Sequence, residues 1–563
     1  MKGSRKILLI LLLGFGLRVW GVGFGLPDLY HADEPALVNH ALSHGVGDLN
    51  PHYFKLPALL NYYLLFLYGI FFLTGRLTGR FASADDFAFL FFDKPTSFYL
   101  IGRIFTGVLF GVLGIYLVYR LGKKCISERV GLAAALFLSA AFLHVRDSHY
   151  VIYDIPLTTL LTACFLPLNP LARTGRIRHY LTFGFLAGLT AAVKYNGALM
   201  VLPLFLTHGL RVLKRGEGWT KLFLHSYLWA GILAMAATFF LINPFILLDF
   251  SAFWKDFSIQ AGAEVPVGLF HHLRYSLNEG LGLPLLIFSM AGTILLLISK
   301  EAIETAIGAF VLVWLLYIGL FSQPYERYAL PAVPFLCLAA AVMLSWLAVK
   351  LKKESSRIFW GALSFLLIVE PLAYSAYSDF LFCRRDTRTL AKEWAHQNLK
   401  PGSKIALDYP FHEPRLHFSK DQLIRKSEET ESAGGGINHR RLGLLLRHYD
   451  ETQPAYSLYF LDDSGGAERP LFAKPTLPFR VEVLEKEGVG YVFVARLTPD
   501  YEHPDFYEAL LKQGKKIRVF NPYRNPSTLY GKARLRQVAA ATEGRDLFAR
   551  ERYGDVIEVF QLQ

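Results

Sequence analysis

Apolar segments that approach or reach the length needed to cross a bilayer recur through the first two thirds of the chain. A helix needs roughly 20 apolar residues to cross about 30 Å of hydrocarbon. The pattern therefore predicts a polytopic α-helical membrane protein with about eleven transmembrane helices. The predicted spans lie near 7–23, 98–120, 130–146, 152–169, 180–193, 197–212, 222–242, 283–299, 305–321, 329–349 and 357–375.

A further apolar segment, 56–74, is interpreted as interfacial. It is rich in Tyr and Phe and is flanked by Lys55 and Arg76, which suits the headgroup boundary. If it does not cross, all later basic loops share the cytoplasmic side with Lys2, Arg5 and Lys6, as the positive-inside rule prefers. The basic clusters in question lie at 123–129, 173–178, 214–221 and 350–357.

This arrangement makes residues 24–97 one external first loop with two membrane-parallel helices, and 243–282 a second external loop. The N-terminus is cytoplasmic, the first span is retained rather than cleaved, and the protein is multi-pass in the plasma (inner) membrane. The alternative is a twelve-span protein with a cytoplasmic tail.

Composition divides the chain into a membrane domain, 1–378, and a water-soluble domain, 379–563. The chain is 53% hydrophobic with mean hydropathy +0.32, yet the last 185 residues contain 55 of its 105 charged residues. The net charge of +13 lies mostly in the membrane part. It is interpreted as basic loop anchoring, which argues against a nucleic-acid partner. The four cysteines show no CxxC spacing, so neither a disulfide framework nor a zinc site is indicated.

The tail is predicted to be a small extracytoplasmic α/β domain. Its pattern predicts an amphipathic helix over 379–399, strands at 403–407 and 491–495, and a further strand at 480–484. A glycine-rich loop is expected at 433–436. A role of this domain in recognising the acceptor is a hypothesis from its position alone.

The adjacent carboxylates Asp33 and Glu34 follow the first span directly. Ionisable groups so close to the bilayer are costly and usually mark a function. Pro35 and the helix that begins there offer a plainer interpretation, in which the pair only caps that helix. The position favours an active-site base at the outer face.

Four cations, Lys55, Arg103, Lys194 and Arg327, are each embedded in largely apolar sequence and need partners. They pair either with the carboxylates of the outer face, which is a purely structural solution, or with an anionic ligand. A lipid phosphate is the natural anion at that depth. The residues alone leave both solutions open.

The ordered motifs of residues 1–400 resemble those of the C-type (GT-C) glycosyltransferases. The resemblance is to the polyprenyl-phosphate-sugar-dependent branch, with the protein O-mannosyltransferases and the lipid A aminoarabinose transferases. The motifs are His31-Ala-Asp-Glu-Pro35, Lys55-Leu-Pro57, Ile101-Gly-Arg-Ile-Phe105, His144-Val-Arg-Asp-Ser-His149, Tyr153-Asp-Ile-Pro156, Val193-Lys-Tyr-Asn-Gly197 and Tyr325-Glu-Arg-Tyr-Ala-Leu-Pro331.

This resemblance implies an inverting transfer of a sugar from a polyprenyl-phosphate carrier to an acceptor that the sequence does not identify. Asp33 would be the catalytic base, and Glu34 would position the acceptor or Asp33. The donor phosphate would be bound by Lys55, Arg103, Lys194 and Arg327. Sugar or acceptor contacts would come from Asp154, Asp147, His149 and Tyr325. The region 144–149 also fits a self-satisfied loop network.

No cofactor is required by this chemistry, although some members of the family use a divalent ion. His271 and His272, with Glu264 and Glu279 nearby, are the weak candidates for one, and a plain surface position is the alternative. Two other functions fit a protein of this class. A lipid-linked sugar flippase would show internal repeats, which are not found. A polysaccharide polymerase or ligase would use a lipid diphosphate donor.

Overall fold

The computed structural model describes residues 2–262, 268, 270–321, 325–408, 412–432, 437–462, 475–496, 503–525 and 544–562. The α-helices of the membrane domain are Lys2–Val19, Glu34–Ser43, Leu59–Leu77, Ala84–Asp93, Thr96–Gly102, Leu109–Cys125, Glu128–Ala140, Phe142–Asp147, Asp154–Thr174, Ile177–Val193, Val201–Lys214, Thr220–Leu224, Ser226–Ile242, Phe245–Leu248, Phe250–Gly262, Asn278–Leu281, Leu283–Leu297, Ala302–Phe321, Val333–Lys350 and Arg357–Phe382. Short 3₁₀ helices lie at His44–Val46, Tyr195–Met200 and Glu326–Ala332, and π-helical turns at Arg103–Val108 and Leu273–Leu277.

Every predicted span falls on one helix or on two consecutive helices, and the prediction of a polytopic helical membrane protein is confirmed. Within the described residues, eight helices are long and apolar enough to cross a membrane, or nine if the bent pair Leu273–Leu281 and Leu283–Leu297 is counted as one span. Leu59–Leu77, predicted to be interfacial, is one of the eight. The count of eleven spans and the orientation of this helix stay predictions.

One of the helices that fall short of that length is largely enclosed by protein. Glu128–Ala140 has only 13 residues, and nine of them are buried. The chain then turns at the extended Ala141 and continues as Phe142–Asp147. A buried helix needs no full bilayer length, because neighbouring helices rather than lipid surround its ends.

The first loop contains three α-helices rather than the two that were predicted. The third, Ala84–Asp93, begins with a capping box, in which Ser83 accepts from the Asp86 backbone N–H and Asp86 accepts in return. Residues 243–282, predicted to be a second external loop, are also largely helical where they are described, in Phe245–Leu248, Phe250–Gly262 and Leu273–Leu277.

The tail is the predicted small α/β domain. Its helices are Thr387–Asn398, Lys420–Ser432, Ile437–Arg447, Val481–Lys486, Pro504–Gln513 and Gly544–Leu547. Its strands are β1 Lys404–Leu407, β2 His417–Phe418, β3 Ala455–Leu461, β4 Thr476–Leu477, β5 Tyr491–Arg496, β6 Lys515–Phe520 and β7 Val556–Gln561. They form one sheet in the order β2-β3-β1-β5-β7-β6, with β4 beside β3. The strands from β2 to β5 are parallel, and β7 is antiparallel to β5 and β6.

Two predicted elements of the tail are wrong in detail. Residues 480–484 were predicted to be a strand, but Val481–Lys486 is a helix. Its buried residues are Val481 and Leu484, three positions apart, which is a helical spacing. The predicted helix 379–399 begins only at Thr387, because Arg357–Phe382 continues past the predicted domain boundary. Asp386 caps the new helix by accepting from the Arg388 backbone N–H. The predicted loop 433–436 lies outside the described residues.

Candidate active site

The adjacent carboxylates Asp33 and Glu34 point in different directions. Asp33 is the last residue before the helix Glu34–Ser43, and its side chain is 47% exposed. Glu34 is the first residue of that helix and is fully buried. Consecutive positions on a helix differ by about 100° in direction. Of the two, only Asp33 is therefore accessible to a substrate.

Glu34 is bound to Arg103 by two charge-assisted hydrogen bonds. Arg103 Nε donates to Oε1 at 2.8 Å, and Nη2 donates to Oε2 at 2.7 Å. The Val151 backbone N–H also donates to Oε1, at 2.9 Å. Arg103 Nη1 donates to the carbonyls of Val22 and Phe24. Arg103, predicted to bind the donor phosphate, is fully buried, and its printed partners are Glu34 and two backbone carbonyls, which is the geometry of a positioning residue.

Asp33 is the most exposed of four neighbouring side chains whose charges alternate. Arg327 Nη1 lies 3.0 Å from Asp33 Oδ2, and its Nε lies 3.9 Å from Asp154 Oδ2. Lys194 Nζ donates to Asp154 Oδ1 at 3.0 Å. Asp154 is buried, whereas Arg327 is 26% exposed and Lys194 16% exposed. The structure thus brings together four residues predicted for this site, from four separate parts of the chain.

Two tyrosines support the cations of these ion pairs. The Lys194 ammonium lies 4.5 Å from the centre of the Tyr328 ring. The Arg327 guanidinium lies 4.4 Å from the Tyr325 ring and 5.5 Å from that of Tyr328. Aromatic faces attract cations and limit their positions. Tyr325 was predicted as a site residue, whereas Tyr328 was missed, although it lies one position after Arg327.

Lys55, the fourth predicted cation, is not part of this set of ion pairs. It is half-buried, and none of the described carboxylates forms an ion pair with it. Its neighbours Phe54 and Leu56 line a small, mostly apolar pocket, to which Tyr62, Tyr195, Asn243 and Ile246 also contribute. Tyr195 follows Lys194 directly and donates its hydroxyl to the Phe54 carbonyl at 2.9 Å. The pocket is therefore lined by residues that are adjacent in sequence to Lys55 and to Lys194.

Tyr53 is a further residue of the site that sequence reasoning missed. Burial, together with the nearby carboxylates of Asp256 and Asp33, raises the pKa of its phenol. Its ring is stacked on His40 at 4.3 Å, on the helix that Asp33 precedes. The only sequence signal was its position two residues before Lys55.

A second set of polar contacts, which is buried, involves residues 144–149. Arg146 Nε donates to Asp147 Oδ1 at 2.7 Å, and Arg146 Nη1 donates to Glu326, next to Arg327. Asp147 is buried in this pair. His149 is fully buried, and its two ring nitrogens lie 3.0 Å from the carbonyls of Val145 and Trp20. His149 Nε2 also lies 3.5 Å from the buried Asp379 carboxylate. Asp147 and His149 are therefore buried in separate polar contacts and do not lie beside the exposed Asp33 carboxylate, and Asp147 Oδ2 has no hydrogen-bond partner among the described residues.

The candidate cation position in residues 243–282 has few ligands. The rings of His271 and His272 lie 5.1 Å apart and nearly perpendicular. His272 Nδ1 is 2.9 Å from the Ser276 hydroxyl. Glu264 lies outside the described residues. Among the described residues, no group of three His, Cys, Asp or Glu side chains is arranged to hold a metal ion.

Two parts of the sequence match known family models. Residues 96–244 match the family model of the dolichyl-phosphate-mannose-protein mannosyltransferases. This stretch includes Arg103, Asp154 and Lys194. Residues 265–393 match the model of the YhhN family. This second stretch includes Arg327, and Asp33 lies outside both matches. No curated protein matches the sequence significantly.

Solved structures with the same fold cover nearly the whole chain. ArnT from Cupriavidus metallidurans in the apo state aligns over 99% of this chain and 98% of its own, with 14% identity and a TM-score of 0.51. The archaeal oligosaccharyltransferase AglB from Archaeoglobus fulgidus, in complex with an inhibitory peptide and a dolichol-phosphate, aligns over 88% of this chain and 69% of its own, with 14% identity and a TM-score of 0.50. Both are GT-C glycosyltransferases. The fold is that of the GT-C superfamily, and the predicted resemblance to this superfamily is confirmed.

Proposed function

We propose that this protein is an inverting glycosyltransferase that moves a sugar from a polyprenyl-phosphate carrier to an acceptor at the outer face of the membrane. The observation that supports this most directly is the half-exposed Asp33 carboxylate 3.0 Å from Arg327, which is connected through Asp154 to Lys194. A base with two cations close by provides the groups that displacement of a lipid phosphate requires.

In the proposed reaction, Asp33 accepts the proton of an acceptor hydroxyl or amine as that group attacks the anomeric carbon. The bond between this carbon and the phosphate oxygen breaks, and its electrons leave with the phosphate. One in-line displacement inverts the anomeric configuration without a covalent sugar–enzyme intermediate. Arg327, Lys194 and Lys55 stabilise the charge that develops on the leaving phosphate.

The arrangement also explains how Asp33 becomes available. Without donor, its carboxylate is paired with Arg327. A bound phosphate competes for the same guanidinium, because phosphate is a strong acceptor for the planar fork of arginine. Donor binding would then free Asp33 to accept a proton. Asp154 is buried and remains to hold Lys194 in place.

The donor is proposed to be a polyprenyl-phosphate sugar, with mannose as the first sugar to test. AglB, which shares the fold, is described in complex with a dolichol-phosphate, and the match over residues 96–244 is to dolichyl-phosphate-mannose-dependent enzymes. The acceptor is a protein, lipid or glycan, and Tyr325 is the proposed contact of the sugar.

The proposed location is the plasma (inner) membrane, with a cytoplasmic N-terminus and an extracytoplasmic C-terminal domain. The positive-inside distribution of the basic loops supports this topology. It places Asp33, Lys194 and Arg327 at the outer face, where a lipid-linked donor and an extracytoplasmic acceptor meet.

The test is sugar release from a panel of polyprenyl-phosphate sugars by the purified protein in lipid, with a crude acceptor fraction. We expect wild-type transfer, and a loss of kcat of about 10²–10⁴-fold in Asp33→Asn, as for removal of a general base. Asp93→Asn, in the same first loop, is the matched control. Transfer that survives in Asp33→Asn would remove Asp33 as the base. No transfer from any donor, with transbilayer movement of the same lipid, would favour the flippase alternative.

A further inference from the structure

The residues that lead to Asp33 are held at both ends by one side chain. Arg103 donates to the carbonyls of Val22 and Phe24 at 2.8 and 2.7 Å, and it binds Glu34 with two further hydrogen bonds. These contacts close residues 22–34 into a loop, here called the Asp33 segment. Arg103 fixes the ends of this segment but does not contact its middle part.

The middle of the Asp33 segment is held by the soluble domain. Lys392 Nζ donates to Asp28 Oδ1 at 2.7 Å. The Tyr30 hydroxyl lies 2.7 Å from Thr389 Oγ1 and 3.1 Å from Asp28 Oδ2. Thr389 and Lys392 are three positions apart on the helix Thr387–Asn398, here called the docking helix, and so lie on the same face.

A third residue of the docking helix completes this contact. The Arg388 guanidinium lies 3.9 Å from the centre of the Tyr30 ring, and its Nη1 donates to the Tyr30 carbonyl at 3.4 Å. Asp386 holds Arg388 by two hydrogen bonds of 2.8 Å. Tyr30 is therefore contacted at its ring, its hydroxyl and its backbone, three residues before Asp33.

The soluble domain is itself seated firmly on the membrane domain. Tyr553, in the turn before strand β7, is stacked on Phe382 at 4.7 Å and lies 5.3 Å from Phe24. Its hydroxyl lies 2.7 Å from Ser378 Oγ in the last membrane helix. An aromatic cluster of this kind resists movement of the two domains, because separation would expose all of its rings to water. The docking helix is thus a fixed support for the Asp33 segment.

We propose that the docking helix is a positioning element of the active site. Through Lys392, Thr389 and Arg388 it sets the path of residues 28–30 and thereby the distance of Asp33 from Arg327. This inference rests on the proposed function, since it assigns the soluble domain a role in placing the proposed base. Misplacement of a reacting group by about 1 Å costs on the order of a hundredfold in rate.

The ion pair between Lys392 and Asp28 permits a test by charge exchange in the full-length protein. Lys392→Asp places two carboxylates together, and we expect kcat to fall about tenfold or more with the donor KM little changed. The combination Lys392→Asp with Asp28→Lys restores an opposite pair, and we expect it to recover most of kcat. Glu393→Lys is the matched control, because Glu393 lies next on the same helix in an exposed pair with Arg385.

Hydrogen exchange of the backbone gives a second measurement that needs no turnover. We expect faster exchange of amides 28–34 in Lys392→Asp, protection in the double exchange, and no change in Glu393→Lys. Unchanged exchange in Lys392→Asp would overturn the proposal, and so would equal losses of kcat in Lys392→Asp and Glu393→Lys. If the wild type transfers no sugar while exchange follows the expected pattern, the proposed function fails and the positioning contact stands.

Discussion

Glu34 and Arg103 form a two-pronged ion pair in which neither side chain is exposed to solvent, with N–O distances of 2.8 and 2.7 Å. Removing one partner of such a pair leaves an uncompensated buried charge, which costs about 3–5 kcal/mol. We therefore expect Glu34→Ala to lower the free energy of unfolding by about that amount, measured by chemical unfolding in detergent.

A variant of the neighbouring carboxylate shows whether the loss of stability is specific to Glu34. Asp33→Asn, one residue earlier and half exposed, is expected to leave the stability unchanged within about 0.5 kcal/mol. Replacing both buried partners, as in Glu34→Leu with Arg103→Met, should be less destabilising than Glu34→Ala alone. Wild-type stability of Glu34→Ala would contradict the positioning role of the pair.

Arg327 gives a prediction about the donor. It lies between Asp33 and Asp154 and is 26% exposed. We expect Arg327→Ala to lower kcat by about 10²–10³-fold, the usual cost of removing one group that stabilises developing negative charge. Arg327→Lys should recover only part of this loss, since lysine lacks the planar fork. Steady-state sugar transfer measures both.

The exposed Arg274, in the π-helical turn Leu273–Leu277, is the control for loss of a cation. Arg274→Ala is expected to transfer sugar at nearly the wild-type rate. If Arg327→Ala also retained that rate, the leaving phosphate would have to be stabilised elsewhere, and Lys194 and Lys55 would become the first candidates.

The sequence was a good guide to which polar residues matter, because ionised groups in apolar sequence need partners. It predicted Asp33, Asp154, Lys194 and Arg327 for one face, and the structure connects them through consecutive ion pairs. It did not indicate which carboxylate pairs with which cation. Arg103 and Lys194 both lie in largely apolar sequence, yet Arg103 is fully buried with Glu34 and Lys194 is partly exposed beside Asp154. That difference depends on helix packing, which a local pattern does not contain.

The sequence also does not indicate the directions of adjacent side chains. Nothing in the order Asp33–Glu34 indicates that the first side chain points outward and the second inward, since this depends on where the helix begins. The strand predicted at 480–484 was wrong for a related reason. Short apolar segments fit either a strand or a helix, and tertiary contacts of Val481 and Leu484 decide between them.

Asp408 in the soluble domain predicts a pH dependence of stability. It follows β1, is almost fully buried, and accepts hydrogen bonds from the Ala495 N–H and the Tyr507 hydroxyl. Burial raises the pKa of its carboxyl from 3.8 to about 7. The folded state therefore binds this proton more tightly than the unfolded state, so stability falls as pH rises from about 4 through 7.

Exchange of the β1 and β5 amides in the full-length protein measures this effect. We expect less protection at pH 8 than at pH 5, after correction for the intrinsic pH dependence of exchange. Asp408→Asn, which cannot ionise, should show a smaller difference between the two conditions. An identical pH profile in wild type and variant would assign the dependence to other groups.

Two glycines in membrane helices give opposite predictions for the same substitution. A methyl group at Gly292, in the helix Leu283–Leu297, would overlap the backbone carbonyl of Ala339 in the neighbouring helix Val333–Lys350. A methyl group at Gly361 would contact nothing within 4 Å. Gly292→Ala must therefore separate two helix backbones, at a cost of about 1–3 kcal/mol or more. Gly361→Ala should instead stabilise its helix by roughly 0.5–1 kcal/mol, because alanine loses less backbone entropy. Thermal unfolding of the two variants side by side measures the difference, and equal midpoints would show that these helices do not pack backbone to backbone.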